Sequence, residues 1–204
     1  MGFLQDKKSD FYYKQAKEQN YRARSAFKLL EIQKKFNLIR AGDKVLDLGA
    51  SPGGWSQVAL EFIDGGKVIG VDKKILSKLN GNFKFVFGDF TEEKTLNEIK
   101  EHLSGKADVV LCDASPEFSG IKSMDMGLSL ELNKAALEIA KDLLKIKGKF
   151  VCKTFRGVGF QEFIKDVKIH FIAVSIFKPK SSKSDSAEIY LIATGFRKAQ
   201  LSKL

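Results

Sequence analysis

The segment from Asp43 to Trp55, DKVLDLGASPGGW, constrains the fold of this chain more strongly than any other part of it. Residues 45–48 form an apolar run with one carboxylate, Asp47, and this pattern predicts a buried parallel strand. A glycine-rich turn follows, and residues 55–60 have the pattern of a helix. Glycines at such a turn let a ligand approach the backbone, because they have no Cβ. The segment therefore predicts a doubly wound α/β fold with a nucleotide-like ligand at this turn.

The motifs that the chain lacks narrow the kind of ligand. The glycine spacing does not fit the dinucleotide motif G-x-G-x-x-G, and the phosphate-binding motif G-x-x-x-x-G-K-[ST] is absent from the sequence. Instead, carboxylates end three successive apolar runs, at Asp47, Asp72 and Asp89. Acids in these positions suit a ligand with ribose hydroxyls, an adenine amine and a positive charge, and S-adenosylmethionine has all three. The alternative is an ordinary α/β turn with solvated acids at the strand ends.

The length and composition of the chain indicate one domain. Its 204 residues are enough for one core, and the 44% hydrophobic content is typical of globular proteins. No apolar run approaches the roughly 20 residues of a membrane span, and the first ten residues lack the apolar core of a signal peptide. Cys112 and Cys152 lie in apolar runs, so we expect them to be reduced and buried. We expect a cytoplasmic monomer without a metal and without a membrane partner.

The formal net charge of +10 is unevenly distributed. Residues 1–40 carry 10 basic and 4 acidic residues, residues 41–140 carry 11 and 16, and residues 141–204 carry 14 and 5. The two ends are therefore basic, and the middle, which contains the predicted ligand turn, is acidic. If the ends meet over one edge of the sheet, they form a basic surface beside the ligand cleft, which favours a nucleic-acid partner. The alternative is a set of solvated lysines without a common ligand.

The apolar pattern after residue 24 predicts a helix that begins at Ser25 as N-cap and ends near Phe36. We expect its sheet-facing side chains to be Phe27, Leu30 and the aliphatic part of Lys34. Basic residues crowd the beginning of this helix: Arg22, Arg24 and Lys28. Cations at a helix N-terminus oppose the helix dipole, so these residues indicate a role other than helix stability. The alternative is a solvated helix face.

Beyond the glycine turn, apolar runs and helical patterns alternate. Strands are predicted near 67–72, 83–87, 107–113, 148–153, 169–177 and 187–195. Helices are predicted near 92–103, 126–146 and 159–167, a loop at 179–186, and a short helix or an arm at 1–20. The alternation indicates a parallel sheet, and the last two strands indicate a closing antiparallel hairpin.

Three charged residues lie where apolar runs end or begin. Asp113 and Lys153 each close a predicted strand, and Glu188 enters the last one. A lysine at the end of a buried strand is unusual, because lysines are rarely buried without a partner. Ligands of doubly wound folds bind at the carboxyl ends of the strands, so Asp113 and Lys153 are expected to face the ligand crevice. A structural salt bridge between Lys153 and Glu188 is an equally good interpretation of that pair.

Five segments of the chain form a single pattern. They are YRARSAFKL at 21–29, DLGASPGGWSQ at 47–57, DASP at 113–116, FVCKTF at 150–155 and SSKSDSAEIY at 181–190. Together they resemble the FtsJ/RrmJ family of RNA ribose 2′-O-methyltransferases, over nearly the whole chain. The chain departs from the family pattern at three positions: Ser115 for alanine, Glu117 for asparagine and Lys183 for arginine.

The resemblance implies a Rossmann-like S-adenosylmethionine-dependent methyltransferase fold with a mostly parallel seven-stranded sheet and a C-terminal antiparallel hairpin. Residues 1–40 would be a basic RNA-binding extension and helix, and residues 41–204 the catalytic core. The family's catalytic tetrad falls on Lys28, Asp113, Lys153 and Glu188. Its cofactor contacts fall on Gly53, Trp55, Asp72, Asp89 and Asp113, to which the glycine turn adds Asp47, Gly49 and Gly54. We expect the RNA contacts at Arg22, Arg24, Lys178, Lys180 and Lys183.

Methyl transfer to a ribose 2′-hydroxyl requires alignment and loss of one proton. The methyl of a sulfonium is already activated, so catalysis consists mainly of holding the 2′-oxygen in line behind it. Lys153 is the best candidate to accept the hydroxyl proton or to steer the oxygen. As a base its amine must be neutral, and as an ammonium it can only orient, and the sequence leaves both roles open. Asp113 would hold the geometry and balance charge.

The substrate expected from the resemblance is a uridine of large-subunit ribosomal RNA, within the large subunit or its precursor. Three alternatives remain open at this point. The chain could methylate a tRNA ribose, it could be a non-catalytic RNA-binding assembly factor that keeps the fold, or it could methylate a small molecule. The basic ends of the chain disfavour the last alternative, and the complete tetrad disfavours the second.

Overall fold

A seven-stranded sheet forms the centre of the molecule, and the computed structural model describes residues 11–117, 119–183 and 186–198 of the chain. The strands are β1 Lys44–Leu48, β2 Lys67–Asp72, β3 Phe83–Phe87, β4 Ala107–Cys112, β5 Leu144–Phe155, β6 Phe171–Phe177 and β7 Glu188–Phe196. The helices are α1 Ala26–Phe36, α2 Gly54–Phe62, α3 Glu93–Leu103, α4 Lys122–Leu143 and α5 Phe160–His170. Residues 11–18 are also helical, and residues 1–10 of the predicted N-terminal helix or arm lie outside the described ranges.

The strand order is β3-β2-β1-β4-β5-β7-β6. The pairs from β3 to β5 are parallel, whereas β7 runs antiparallel to both of its neighbours, β5 and β6. The predicted mostly parallel sheet with an antiparallel C-terminal pair is therefore confirmed. Chain order reverses between β1 and β4, and this is the point where doubly wound folds open a crevice at the carboxyl ends of the strands.

Two apolar clusters cover the two faces of the sheet. Alternate side chains of a strand point to opposite faces, and Val45 and Leu46 accordingly belong to different clusters. The cluster around Val45 includes residues of α1 and α2, and the cluster around Leu46 includes residues of α3, α4 and α5. The central strands are buried on both sides, and their sequences, KVLDL and ADVVLC, are accordingly mostly apolar and do not alternate between apolar and polar residues.

Helix α1 has the predicted length, and its buried face was predicted in part. Phe27 is buried as predicted and Leu30 is partly buried against the core, but Lys34 is exposed, and the fully buried Leu29 and Ile32 were not predicted. The buried side includes Gln33, whose amide bonds the backbone of Ile39 in both directions and so fixes the turn after the helix. Position 25 is the N-cap, as predicted, but the Ser25 side chain makes no capping hydrogen bond.

The predicted end of the long helix at residue 146 was also wrong. Helix α4 ends at Leu143, and β5 begins at Leu144, which pairs with Ala107 of β4. The apolar spacing of Leu143 and Leu144 continues the helical pattern, but pairing with the interior strand β4 overrides it, and Lys147 adopts a positive φ of 68°. Tertiary pairing of this kind commonly outweighs local propensity.

The other composition-based expectations can be compared directly with the structure. Cys112 and Cys152 are free and buried, as predicted. None of the helices in the described part of the chain is long and apolar enough to cross a membrane. Within the same ranges, no group of three or more His, Cys, Asp or Glu side chains is arranged to hold a metal ion.

Candidate active site

The glycine turn lies in the crevice between β1 and β4 and is packed too tightly for a side chain at its first glycine. Gly49 has a φ of 79°, and a Cβ at this position would lie 2.6 Å from the Cα of Ala114. The loops that follow β1 and β4 are therefore in direct backbone contact at the carboxyl edge of the sheet. Gly49 and Ala50 both donate backbone hydrogen bonds to the carbonyl of Val71, which joins β2 to the same edge.

The other two predicted glycines of the turn contact the N-terminal segment. Gly53 is the N-cap of α2, with a φ of 116°, and a Cβ there would lie 3.0 Å from Cδ of Arg22. At Gly54 a Cβ would lie 3.3 Å from the Cβ of Ala23. Both glycines let residues 22 and 23 pack against the start of α2, so the turn connects the N-terminal segment to the crevice.

The two acids at the ends of β2 and β3 are fixed by backbone donors. Asp72 accepts hydrogen bonds from the N–H groups of Ser51 (2.9 Å) and Lys74 (2.7 Å), one on each carboxylate oxygen. Each oxygen keeps a second lone pair for a ligand hydroxyl. Asp89 accepts two bonds from Thr91 and lies 3.1 Å from the ammonium of Lys73. Burial acts to raise the pKa of Asp89, but these hydrogen bonds and the Lys73 charge hold it below its ordinary value.

Asp47 is fully buried beside the crevice, and only one of its two carboxylate oxygens has a hydrogen-bond partner. Its Oδ2 accepts a hydrogen bond from Ser56 Oγ at 2.7 Å, whereas its Oδ1 has no hydrogen-bond partner. Burial raises the pKa of Asp47 to about 7, although the Ser56 hydrogen bond opposes that shift. A buried carboxylate with an unpaired oxygen favours a cationic ligand nearby. Together with the glycine turn and the acids at positions 72 and 89, it forms a set of acceptors that fits S-adenosylmethionine.

Trp55, which was predicted to contact the cofactor, is buried, with only 2% of the residue exposed. The indole N–H donates to the carbonyl of Ser25 at 2.9 Å, and the ring lies 5.5 Å from the ring of Tyr190. The Trp55 ring therefore lies in the core between the beginning of α1 and strand β7, and it holds those two elements together.

The four predicted tetrad residues lie together as two ion pairs. Lys28 Nζ lies 2.6 Å from Glu188 Oε1, with the two side chains 10% and 14% exposed. Lys153 Nζ lies 3.3 Å from Asp113 Oδ1, with exposures of 7% and 16%. A salt bridge between Lys153 and Glu188 was the wrong pairing, because Glu188 lies opposite Phe155 in the β5–β7 register.

Lys153 has three acceptors around its nitrogen. It donates to the carbonyl of Asp113 at 2.7 Å and to Ser115 Oγ, and the Asp113 carboxylate is the third contact. Three acceptors match the three donors of an ammonium. Ser115 is exposed in the crevice, so its hydroxyl lies between the buried ammonium and the space in front of it.

Tyr190 connects the two ion pairs, and the sequence analysis did not single it out. Its hydroxyl donates to Asp113 Oδ1 at 2.9 Å, and Lys28 Nζ lies 5.7 Å from its ring centroid. Burial, followed by the charges of Asp113 and Glu188, raises the pKa of Tyr190 well above its ordinary value, so the phenol remains a donor. A signal was present in the sequence, because a residue two positions after Glu188 in a strand points to the same face.

The loop between β6 and β7 is fastened to α1 close to the tetrad. Glu31 accepts hydrogen bonds from the backbone N–H groups of Lys180 (2.6 Å) and Ser181 (2.8 Å). Ser182 Oγ donates to Glu188 Oε1 at 3.0 Å. These bonds bring two predicted RNA contacts, Lys180 and Lys183, to the same edge as the tetrad, and both lysines are exposed there. Neither Glu31 nor Ser182 was anticipated.

The other predicted RNA contacts have partners within the protein. Lys178 donates to the carbonyl of Ser186 at 2.7 Å. Arg22 donates to the carbonyls of Ser77 at 2.5 Å and Lys78 at 2.7 Å, in the loop that follows β2. Arg24 is half-buried at the beginning of α1. The structure therefore brings the tetrad and the cofactor candidates to one edge of the sheet, and it directs Arg22 toward the cofactor side of that edge.

Comparison with known proteins gives consistent matches over most of the chain. A model of FtsJ-like methyltransferases matches residues 21–196. The chain is 49% identical over 183 residues to the ribosomal RNA large subunit methyltransferase E of Methanothrix thermoacetophila, across 90% of this chain and 71% of that protein. The Methanosphaera stadtmanae protein of the same name is 45% identical over 192 residues, which are 92% of this chain and 93% of its own.

A solved structure has the same architecture. A ribosomal RNA methyltransferase from Plasmodium falciparum superimposes with a TM-score of 0.77 at 31% identity, over 86% of this chain and 98% of that one. With the tetrad assembled at the carboxyl edge of the sheet and the family model matching residues 21–196, the chain belongs to the FtsJ-like methyltransferase family.

Proposed function

We propose that this protein transfers a methyl group from S-adenosylmethionine to the ribose 2′-hydroxyl of a uridine in large-subunit ribosomal RNA. The observation that carries the proposal is the joined pair of ion pairs, Lys28–Glu188 and Lys153–Asp113, next to a glycine turn that suits this cofactor. The choice of ribosomal RNA is supported by the names of the relatives, which are large-subunit ribosomal RNA methyltransferases.

The cofactor is proposed to lie along the carboxyl edge from β3 to β4. Asp72 would accept hydrogen bonds from the ribose hydroxyls of the cofactor, and Asp89 would accept one from its adenine amine. Backbone N–H groups hold both carboxylates in place for these contacts. Gly49, Gly53 and Gly54 give the turn its close approach, and the unpaired oxygen of Asp47 favours the cationic end. When bound, the cofactor supplies a methyl group that is activated by its positive sulfur.

Lys153 is proposed to act as an ammonium that orients the 2′-oxygen by exchanging its contact with the exposed Ser115 hydroxyl for that oxygen. The hydroxyl proton is released to water in the crevice as the methyl group is transferred. Its three acceptors fix the position of Nζ at the end of β5, and the exposed Ser115 hydroxyl extends this polar group into the crevice. Asp113 balances the charge of Lys153 and is itself held by the Tyr190 hydroxyl. Alignment of this kind supplies most of the catalysis when the transferred group is already activated.

The RNA is proposed to lie across the basic surface next to this edge. Arg24 on the N-terminal side and Lys178, Lys180 and Lys183 on the β6–β7 loop would contact phosphates. Glu31 joins the two sides, since it lies on α1 and fixes the backbone of the loop. The electrostatic contribution of such contacts depends on the salt concentration, which makes the proposal measurable.

The decisive experiment maps 2′-O-methyl groups by mass spectrometry on ribosomal and transfer RNA after incubation with the protein and S-adenosylmethionine. We expect one new 2′-O-methyluridine in large-subunit RNA, in the assembled subunit or its precursor, and none with Lys153→Ala. Methylation of tRNA alone would replace the proposed substrate. Tight RNA binding without any methylation would make the protein a non-catalytic assembly factor and would overturn the proposal.

A further inference from the structure

The loop between β2 and β3 begins directly after Asp72 and has little regular structure. Residues 73–82 form neither helix nor strand. Leu76 and Leu79 of this loop pack against Ala50 of the glycine turn, so the loop forms a wall of the proposed cofactor site. A cavity of about 380 Å³ lies between part of the loop and α2, and it is lined by Arg22, Leu60 and Asn80 among others. Apolar packing therefore holds Leu76 and Leu79, whereas Lys78 and Asn80 border this cavity on the side of α2.

Arg22 fixes the loop from across this cavity. Its two terminal nitrogens donate to the successive carbonyls of Ser77 and Lys78 at 2.5 and 2.7 Å. The Cδ of Arg22 would lie 3.0 Å from a Cβ on Gly53, so the side chain passes directly over the glycine turn. Its backbone N–H is held by Gln57 Oε1 at 2.8 Å, which anchors the residue to α2.

The planar guanidinium of Arg22 is better suited than a lysine ammonium to bind the two successive carbonyls of Ser77 and Lys78. Its nitrogens lie in a rigid fork that can reach two neighbouring carbonyls at once, whereas an ammonium is a single point of charge on a flexible stem. If Arg22 bound a phosphate instead, its guanidinium would have to leave the carbonyls of Ser77 and Lys78, and the loop that follows Asp72 would lose these two hydrogen bonds. The geometry therefore opposes the use of Arg22 as a simple phosphate contact.

We infer that Arg22 is a positioning residue for the cofactor site, and that its function is to hold loop 73–82 against the glycine turn. This inference rests on the proposed function, since it names a residue of the same site. Arg22 thus connects the basic N-terminal segment to the loop between β2 and β3, which forms a wall of the proposed cofactor site.

The test is isothermal calorimetry of S-adenosylmethionine binding to the wild type and to three variants. Arg22→Ala should weaken binding roughly 10- to 100-fold, the range expected when two hydrogen bonds of ordinary strength are lost. Arg22→Lys should recover only a small part of that loss. Lys165→Ala on α5 is the control, because it removes one exposed positive charge away from this loop, and it should bind the cofactor like the wild type.

Two further measurements separate positioning from RNA contact. In steady-state assays, Arg22→Ala should raise KM for the cofactor far more than it lowers kcat, and the salt dependence of RNA binding should keep its wild-type slope. If Arg22→Ala binds the cofactor like the wild type and flattens the salt slope, the inference is wrong and Arg22 contacts RNA. If the alanine variant does not fold, Arg22→Lys, which keeps the charge and the aliphatic stem, decides the question by the same two measurements. If the wild type itself does not bind S-adenosylmethionine, it is the proposed function that fails.

Discussion

The hydroxyl of Tyr190 donates to Asp113 Oδ1 at 2.9 Å, on the same oxygen that lies 3.3 Å from Lys153 Nζ. One carboxylate oxygen thus accepts from a neutral donor and an ammonium at once. Asp113 follows β4, Tyr190 lies in β7 and Lys153 lies in β5. The contact with Tyr190 therefore fixes the position of the Asp113 carboxylate relative to the ammonium of Lys153. Loss of the hydrogen bond from Tyr190 to Asp113 should therefore lower turnover and leave the affinity for the cofactor unchanged.

Replacement of Tyr190 by phenylalanine tests this contact. The ring and its packing on Trp55 remain, and only the donor to Asp113 is lost. We expect turnover to fall about tenfold and the free energy of unfolding to fall by about 1 kcal/mol, the usual contribution of one hydrogen bond. Single-turnover methylation and urea unfolding measure the two effects. Unchanged turnover would mean that Tyr190 only packs the core.

Replacement of Lys153 by alanine should reduce turnover by about 10²- to 10⁴-fold, the range for a lost proton-transfer or orienting group. Cofactor affinity should change little, because Nζ is held by Asp113 and Ser115 rather than by the glycine turn. Lys153→Arg separates the two possible roles, since a guanidinium can donate hydrogen bonds but cannot accept the hydroxyl proton. Activity of the arginine variant well above that of the alanine variant supports orientation, and equal inactivity supports a base.

The ion pair of Lys28 and Glu188 should be sensitive to the loss of one partner. Lys28→Met leaves Glu188 buried without its cation, so we expect a loss of about 3 kcal/mol in the free energy of unfolding, at the low end for buried pairs because Ser182 still donates to Glu188. The double variant Lys28→Met, Glu188→Leu should regain most of this stability and remain slow in methylation. Full activity of the double variant would contradict a catalytic role for the pair.

The buried carboxyl of Asp47 predicts a dependence of stability on pH. Its pKa is about 7 in the folded protein, above its ordinary value of 3.8. Between these two pH values the Asp47 carboxyl keeps its proton in the folded protein but has lost it in the unfolded chain. The free energy of unfolding therefore falls as the pH rises, by at most about 1.4 kcal/mol per pH unit. Below about pH 4 and above about pH 7 this contribution is constant. Thermal unfolding of the wild type and of Asp47→Asn between pH 4.5 and 7.5 should show that stability falls more steeply with pH in the wild type than in the variant, and parallel curves would refute the prediction.

The β6–β7 loop should account for part of the salt dependence of RNA binding. Each phosphate contact that is lost should flatten the slope of log affinity against log salt by about 0.7–0.9. We expect the double variant Lys180→Ala, Lys183→Ala to bind RNA more weakly, with a flatter slope and unchanged cofactor affinity. Lys165→Ala on α5 is the control, because α5 packs on the opposite face of the sheet from α1. A loop variant with the wild-type slope would exclude this loop from the RNA surface.

The sequence predicted the elements that are determined by continuous apolar runs. Strands β2 and β3 lie within the predicted residues 67–72 and 83–87, because their runs are bounded by polar and glycine residues. The start of β5 could not be predicted in this way, since Leu144 fits both a helix and a strand until its pairing with Ala107 is known.

The site was predictable as a set of residues but not as a set of contacts. The pairing of Lys28 with Glu188, rather than Lys153 with Glu188, follows from the register of β5 and β7, and that register is not encoded locally. The same applies to Arg22, whose partners are backbone carbonyls in a loop more than fifty positions away in the sequence. Backbone carbonyls have no side-chain identity, so no residue pattern can reveal them.

The position of β7 also has a consequence for the biosynthesis of the protein. It is the last of the described strands in the sequence, yet it lies between β5 and β6, and it carries both Glu188 and Tyr190. A ribosome produces the glycine turn, Asp113 and Lys153 well before these two residues emerge, and the contact between Lys28 and Glu188 joins positions 160 residues apart. The reaction centre therefore remains incomplete until β7 inserts between β5 and β6, so a partly made polypeptide lacks two of the groups that surround Lys28 and Asp113.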